Sequence, residues 1–324
     1  MTTVDPSVAS AAQVPLQSFA IPEFPPESTN LKALTLTSDI KLDDYSKLLE
    51  DFTIPELPTS IESLTLELFS LGYPPGFLAA LSRRLPSLKS LVLYSQLFAG
   101  ISEESRKDAE QFFENEKGLR ELHLLDVFAR PGFLSNVGKT LLSRKDGLRF
   151  LEVNYSYRHE DQDFLTSVPA TELVHLINPS LVTCAFNISP PDVTNDPDDP
   201  TNLGEEGEDA QRRKEGVVAL DHTHSSGLVD ALVEQRTAPT GLLLLNITLY
   251  TVMLEHFTRI LKKHPGLLVL TATVYLEPTK EHKQGILEAL TCCPNLEQVE
   301  LVGYPSLQFY RTVGLRNSLF HGLY

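Results

Sequence analysis

One apolar pattern occurs nine times along this chain, and this repetition constrains the fold more than any other feature of the sequence. Each copy reads apolar-x-x-apolar-x-apolar. The nine copies are LKALTL (31–36), IESLTL (61–66), LKSLVL (88–93), LRELHL (119–124), LRFLEV (148–153), LVTCAF (181–186), LLLLNI (242–247), LLVLTA (267–272) and LEQVEL (296–301). Successive copies start 25 to 33 residues apart, except for one interval of 61. A regular period of this size is the signature of a stacked-repeat architecture.

The residues around the copies indicate what each repeat contains. A Pro or Gly comes just before most copies, as at Pro86, Pro179, Pro265 and Pro294, and such residues end helices and start extended chain. Stripes with helical spacing lie between copies; they are Phe77, Leu78, Leu81 and Leu85; Leu134, Val137, Leu141 and Leu142; Leu254, Phe257 and Leu261; and Ile286, Leu287 and Leu290. Each repeat is therefore predicted to be one strand followed by one helix.

A unit of this size cannot bury its own apolar face, so the units must stack. Right-handed crossovers would place the strands in one parallel sheet with the helices on its outer side. We therefore predict an α/β solenoid of about nine repeats, with a curved parallel sheet on the concave side and helices on the convex side.

The repeats resemble those of leucine-rich-repeat proteins over roughly residues 31–302. The form Cys-Pro-Asn-Leu-Glu-Gln-Val-Glu-Leu (293–301) is similar to repeats found beside F-box domains, notably in filamentous fungi. This resemblance implies a protein-binding solenoid or, alternatively, the substrate-recognition subunit of a ubiquitin ligase. The chain departs from the family at the position three residues after the last apolar residue of each copy. The family usually has Asn or Cys there, whereas this chain has residues such as Val127, Ser156 and Tyr250.

Three segments fall outside the repeats. Residues 1–30 are predicted to be an irregular lead-in or cap, and they do not resemble an F-box. Residues 190–216 account for the long interval; because Asp192 to Asp209 contains eight carboxylates and no basic residue, we predict a disordered acidic insertion. Residues 303–324 are predicted to cap the last repeat.

The net charge of −16 bears on the partner and on the location of the protein. Such a charge argues against a nucleic-acid-binding protein, which needs clustered Lys and Arg, and favours a basic partner. No stretch is apolar and long enough to cross a membrane, and residues 1–30 do not resemble a secretory signal. The three cysteines do not suggest a disulfide framework, so we predict a cytoplasmic or nuclear protein without membrane association.

The motifs that could support chemistry are weak. The segment from Gly132 to Thr140 resembles a phosphate-binding loop but has five residues between its glycines where the motif needs four. His222-Thr-His224 and His159-Glu-Asp161 lack a second pair at metal-ligand spacing. Cys292 and Cys293 have no identifiable catalytic partner. We therefore expect a non-enzymatic protein with no cofactor, no bound metal and no catalytic residue.

The remaining candidate for function is the concave face, which is formed by the residues between the apolar strand positions. Its predicted centre combines aromatic with acidic and polar groups: Tyr94, Glu121, His123, Phe150, Glu152 and Asn154. Aromatic anchors surrounded by charge are typical of the centre of an interface, although a half-exposed sheet face commonly carries a similar mixture. We predict a protein-interaction scaffold that binds a protein or peptide here. The alternative, a ligase subunit, would also bind a ubiquitin-ligase adaptor.

Overall fold

A computed structural model describes residues 18–25, 27–37, 51–68, 72–94, 97–144, 146–156, 169–189, 219–235 and 241–305. The predicted acidic insertion at 190–216 lies outside the described residues. The predicted lead-in is described only at 18–25 and 27–30, and the predicted C-terminal cap only at 303–305.

A nine-stranded parallel sheet dominates the described part. The strands, numbered along the chain, are β1 (Ser18–Ala20), β2 (Ala33–Thr37), β3 (Asp51–Thr53), β4 (Ser63–Glu67), β5 (Ser90–Leu93), β6 (Glu121–Leu125), β7 (Phe150–Ser156), β8 (Thr183–Ser189), β9 (Leu244–Val252), β10 (Val269–Leu276) and β11 (Gln298–Pro305). The sheet follows chain order from β2 through β4 to β11, while β1 and β3 form a separate parallel pair. Each of its nine strands begins at the third residue of one apolar copy, so the predicted parallel α/β architecture is confirmed.

Helices connect the strands and form a second layer. They are α1 (Phe77–Arg83), α2 (Glu103–Asn115), α3 (Phe133–Leu142), α4 (Pro169–Glu172), α5 (Ser226–Asp230), α6 (Leu254–Lys263) and α7 (Lys280–Leu290). A 3₁₀ turn at Leu173–Leu176 follows α4, another at His222–His224 precedes α5, and a wider helical turn at Ala231–Gln235 follows it.

The apolar positions of the nine copies form the core. Leu64, Leu91, Leu122 and Leu151 are equivalent positions on adjacent strands, and all are fully buried. They belong to one apolar cluster with helix residues such as Phe77, so the helices cover this face of the sheet. Leu287, which the spacing of α7 placed in an apolar stripe, is instead 60% exposed. We call the opposite side, which the helices do not cover, the open face.

The first described segment closes one end of this core. Within the predicted lead-in, β1 pairs with β3, and the Ile21 N–H donates to the Thr53 carbonyl at 3.0 Å. Ile21 is buried, and the Phe52 ring meets the Phe77 ring edge-on at a centroid distance of 5.4 Å. The β1–β3 pair therefore packs next to α1, in the helix layer.

Two buried carboxylates tie neighbouring units together at helix starts. Asp108 on α2 accepts hydrogen bonds from the backbone N–H groups of Leu78 and Ala79, each at 2.9 Å. Glu172 accepts from the Gly132 and Ser135 N–H groups at the start of α3. The first helical N–H groups have no partner within their own helix, so these carboxylates satisfy them from the next unit.

The last strands are longer, and β9 contains a bulge. Ala272 pairs with Ile247 while the next residue, Thr273, pairs with Thr251, so Thr248 to Tyr250 are extra residues in β9. The Asn246 side-chain oxygen accepts from the Thr248 N–H at 3.1 Å and from its hydroxyl at 3.0 Å. Tyr250, at a position where the resembled family carries Asn or Cys, is fully buried.

Candidate interaction surface on the open face of the sheet

The side chains of the open face form three rows, of which the first two follow strand register across all nine strands. The first row is Ala33, Ser63, Ser90, Glu121, Phe150, Thr183, Leu244, Val269 and Gln298. The second row is Thr35, Thr65, Val92, His123, Glu152, Ala185, Asn246, Thr271 and Glu300. The third row lies two residues further along the chain and is interrupted at β9, where Thr248 belongs to the bulge and Thr273 pairs with Thr251. It comprises Thr37, Glu67, Tyr94, Leu125, Asn154, Asn187, Thr248, Thr273 and Val302.

The charge of these rows has one sign. The three rows contain four carboxylates, at Glu67, Glu121, Glu152 and Glu300, and none of their positions is Lys or Arg. Most of these side chains are partly or fully accessible; Ala185 and Thr273 are the two buried ones. The open face therefore presents carboxylates with no Lys or Arg among them.

The basic residues lie instead at the edge where the strands start. Lys32 and Lys89 each place their amino nitrogen 2.8 Å from a carboxylate oxygen of Glu62. Hydrogen bonds from Lys32 and Lys89, together with their charge, lower the pKa of Glu62 from 4.5 to about 2. The Arg120 guanidinium pairs with Asp146 at 3.3 Å. Lys32, Lys89 and Arg120 thus form ion pairs along this edge, where Arg149, directly before Phe150, is also exposed.

The centre of the open face is a hydrogen-bonded group on β6, β7 and β8. His123 Nδ1 lies 2.7 Å from Glu152 Oε2, and Asn187 donates from its amide nitrogen to Glu152 Oε1 at 3.3 Å. The side chains of His123 and Glu152 are 22% and 29% exposed. Two neighbours therefore fix the orientation of the Glu152 carboxylate while it remains accessible to solvent.

Phe150 supplies the aromatic part of this centre. Its ring lies 4.6 Å from the His123 ring, centroid to centroid, at an interplanar angle of 30°. Glu121 is the register partner of Phe150 on β6 and is exposed. On β8, the register partners of Phe150 and Glu152 are the smaller residues Thr183 and Ala185. A partly exposed ring therefore stands between two carboxylates and beside a strip of small side chains.

The structure brings together five of the six residues predicted from sequence. Glu121, His123, Phe150, Glu152 and Asn154 all lie on the adjacent strands β6 and β7. Tyr94 faces the same side and is 46% exposed, but it follows β5, and Leu125 separates it from Asn154 in its row. Tyr94 therefore lies on the margin of the centre.

Two residues outside the predicted centre are part of it. Asn187 bonds to Glu152, and the Ser189 hydroxyl donates to the Asn154 side-chain oxygen at 2.7 Å. Both residues lie in the last part of β8, which pairs with β7 as far as Ser156 and Ser189. The apolar copy at 181–186 ends before them, so only the alternation of side chains beyond it could have indicated their position.

The other sequence motifs have structural roles in the described residues. Glu172 already accepts hydrogen bonds at the helix start at Gly132, and a Cβ atom at Gly138 would clash with the His175 carbonyl oxygen. His222 contacts Asp221 and packs against the ring of Tyr275. The motif at 159–161 lies outside the described residues.

The cysteines are also placed for packing. Cys184 and Cys293 are buried, and burial raises the pKa of their thiols to about 12 and about 11. The Cys293 thiol also donates to the carbonyls of Leu261 and His264. Its neighbour Cys292, just after α7, is partly exposed.

In the part of the chain that the structure describes, no group of three or more His, Cys, Asp or Glu residues is placed to hold a metal ion. No helix in the described ranges is long and apolar enough to cross a membrane. No family model matches the chain, and no curated protein matches it.

Proposed function

We propose that the chain is a leucine-rich-repeat solenoid that binds a basic protein segment on its open face and performs no catalysis. One observation carries this proposal: three rows of side chains across nine strands contain four carboxylates and neither Lys nor Arg. A broad surface of one sign attracts a partner of the opposite sign and orients it during association.

The centre of the open face supports binding of a cationic side chain. A guanidinium or ammonium group could contact the carboxylates of Glu121 and Glu152 and the ring face of Phe150 at the same time. Carboxylates form strong charge-assisted hydrogen bonds with cations, and aromatic rings attract them. Because His123 and Asn187 already orient Glu152, little side-chain entropy is lost when a ligand binds it.

The shape of the surface favours an extended ligand. The rows cross the strands and expose mainly short side chains, such as Thr35, Thr65, Thr183 and Thr271, on either side of the β6–β7 centre. A peptide lying across the strands could place successive basic residues near Glu67, Glu121, Glu152 and Glu300, which are distributed from β4 to β11.

A peptide library tests the proposal. The immobilised chain selects from random peptides, and affinities of the selected peptides are then measured for wild type and for Glu121→Gln/Glu152→Gln. We expect net-basic peptides whose affinity falls about tenfold or more in the variant, since loss of a well-placed charge contact costs about 1.5 kcal/mol or more.

The matched control is Glu103→Gln/Glu114→Gln, which removes two exposed carboxylates of α2 in the helix layer. This control should bind like wild type. Equal loss in both variants would show that only net charge matters, and selection of acidic or neutral peptides would refute the proposal. Co-purification of a ubiquitin-ligase adaptor from cells would support the alternative function, substrate recognition for a ligase.

A further inference from the structure

The apolar core is uncovered at the β11 end of the sheet. Val299 and Leu301 occupy the second and third apolar positions of the last copy and are 42% and 37% exposed. Their register partners on β10, Leu270 and Ala272, are fully buried. The difference arises because β10 has a strand on each side, whereas β11 is the last strand of the sheet among the described residues.

The apolar surface at this end continues beyond the strand. Leu287 on α7 is 60% exposed, and Leu290 and Leu296 are only partly buried. Together with Val299 and Leu301 they define what we call the terminal apolar patch. An edge strand with exposed apolar side chains readily pairs with further chain, so proteins usually cover such an edge.

At the opposite end of the sheet, near β2, another segment of the chain covers the apolar core. Leu34 on β2 is buried, and Ile21 and Phe24 from the first described segment pack against the same apolar cluster. Among the described residues, none that precedes the terminal apolar patch covers it in the same way.

Charge distinguishes between the two simplest occupants, a second copy and the residues that follow β11. Residues 291–305, which include β11, contain Glu297 and Glu300 and no Lys or Arg, whereas the exposed charges of α7 include both Glu288 and the lysines Lys280 and Lys283. Two copies joined through this end would bring like charges together. Residues 306–324 contain Arg311 and Arg316 and no Asp or Glu, and they are rich in apolar side chains, among them Leu307, Phe309, Leu315, Leu319 and Phe320.

We propose that the terminal apolar patch is the docking surface for residues 306–324 of the same chain. The segment follows Pro305 directly, so its local concentration at the patch is high, and intramolecular docking is favoured over association with another molecule. Its apolar residues would cover Val299, Leu301 and Leu287, while Arg311 and Arg316 would meet Glu297 and Glu300. Docking keeps the edge of β11 from pairing with other chains.

Comparison of the full chain with a chain that stops after Pro305 tests this proposal. Sedimentation measures association, and hydrogen exchange measures protection of the β11 amides. We expect a monomeric full chain, self-association of the truncated chain as concentration rises, and exchange of the edge amides about tenfold or more faster after truncation. A synthetic peptide of residues 306–324 should bind the truncated chain and restore the monomer, whereas a scrambled peptide of the same composition should not.

A variant of the full chain tests the charge argument separately and does not depend on the truncated chain folding. Arg311→Glu/Arg316→Glu should weaken docking and give the faster exchange of the β11 amides seen after truncation. Lys107→Glu/Lys117→Glu, an equal change of charge at exposed sites on and beside α2, should not. Unchanged exchange in Arg311→Glu/Arg316→Glu and in the truncated chain would overturn the proposal. A full-chain dimer that Leu301→Arg separates into monomers would overturn it in favour of the second copy.

Discussion

The two parts of the nine-stranded sheet are held together in different ways. In the N-terminal part, β2, β4, β5 and β6 are four or five residues long, and the buried charged groups Asp108 and Glu116 lie on or just after α2. In the C-terminal part, β7 to β11 are seven to nine residues long, and the buried polar groups from residue 219 onward are Ser225, Thr251, His264, Thr273 and His282. Among the described residues, therefore, the units up to Glu172, which follows β7, bury carboxylates, while the units from residue 219 onward bury neutral or weakly basic groups.

The difference teaches that one repeated apolar pattern is compatible with two ways of joining units. Short strands form few ladder hydrogen bonds, and in this part carboxylates from the next unit satisfy helix N–H groups. Long strands extend the ladder beyond the apolar copy, and aromatic residues such as Tyr155, Phe186 and Tyr250 fill the added core. Buried carboxylates make stability depend on pH, whereas long strands with aromatic core residues make it depend on apolar packing.

Replacement of Tyr250 by Ala should give the largest effect, because it empties the core beside the β9 bulge. Tyr250 is fully buried and its ring meets Phe186 edge-on at 5.9 Å. We expect Tyr250→Ala to lower the free energy of unfolding by about 4 kcal/mol in urea titrations. The control Tyr94→Ala removes an exposed ring and should change stability by about 0.5 kcal/mol or less. Similar losses from both variants would contradict the assigned role of Tyr250.

Glu116 provides the test of pH dependence in the N-terminal part. Burial raises the pKa of its carboxyl from 4.5 to about 8, against an opposing effect of the Arg144 charge. Between pH 4.5 and about 8, the folded chain therefore keeps the proton of Glu116, which the unfolded chain has already lost. The contribution of Glu116 to stability is then greatest below pH 4.5 and decreases as the pH rises to about 8.

Glu116→Gln mimics the protonated carboxyl, so it should remove this dependence. We expect the unfolding free energy of Glu116→Gln, relative to wild type, to increase by about 3 kcal/mol between pH 5 and pH 8. Urea titrations at both pH values measure it. Glu114→Gln, at a nearby exposed position, should show no such change. A constant difference between Glu116→Gln and wild type at the two pH values would show that Glu116 is not held protonated.

The helix-start contacts of Asp108 predict a smaller loss. Asp108→Ala leaves the buried N–H groups of Leu78 and Ala79 without their acceptor, so we expect a loss of about 2 kcal/mol. Amide hydrogen exchange should become faster in α1, with a smaller change in β9 and β10. The same substitution at Gln111, exposed on the same helix, should have little effect. Uniformly faster exchange along the whole sheet would argue against a local role.

The smallest predicted effect is at the boundary between the two parts. The Tyr155 hydroxyl donates to the Val127 carbonyl at 3.1 Å and so links β7 to the loop after β6. Tyr155→Phe should cost about 1 kcal/mol in the same titrations. Tyr94→Phe removes an exposed hydroxyl and serves as the control; a loss at Tyr155 no larger than at Tyr94 would show that this hydrogen bond adds nothing to stability.

Much of the architecture could be predicted from the sequence because it depends on local spacing. The positions of Leu64, Leu91, Leu122 and Leu151 within their copies predicted both the strand starts and the core. A helix was predicted in every repeat, but no apolar stripe located α2, since its apolar residues Ala109, Phe112 and Phe113 are few; Ser102 caps its start by accepting from the Ser105 N–H. The contacts of Asp108 and Glu172 were not predictable from sequence, because each joins residues about one repeat or more apart.

The interaction surface was predictable to a similar degree. Alternation along β6 and β7 places Glu121, His123, Phe150, Glu152 and Asn154 on one face. The pairing of His123 with Glu152, and the contributions of Asn187 and Ser189, depend on inter-strand register, which no local pattern encodes. Tyr94 was placed with the centre because the sequence does not show that β5 ends at Leu93.

The most direct test of the proposed function is a map of where a selected basic peptide binds on the full chain. Hydrogen exchange with and without the peptide should show protection concentrated in β6, β7 and β8, with little change in α2 and α3. Glu121→Gln/Glu152→Gln should reduce that protection about tenfold or more at the same saturating peptide concentration. Protection confined to the helix layer, or to the strand-start edge near Lys32 and Lys89, would contradict the assignment of the open face as the binding surface.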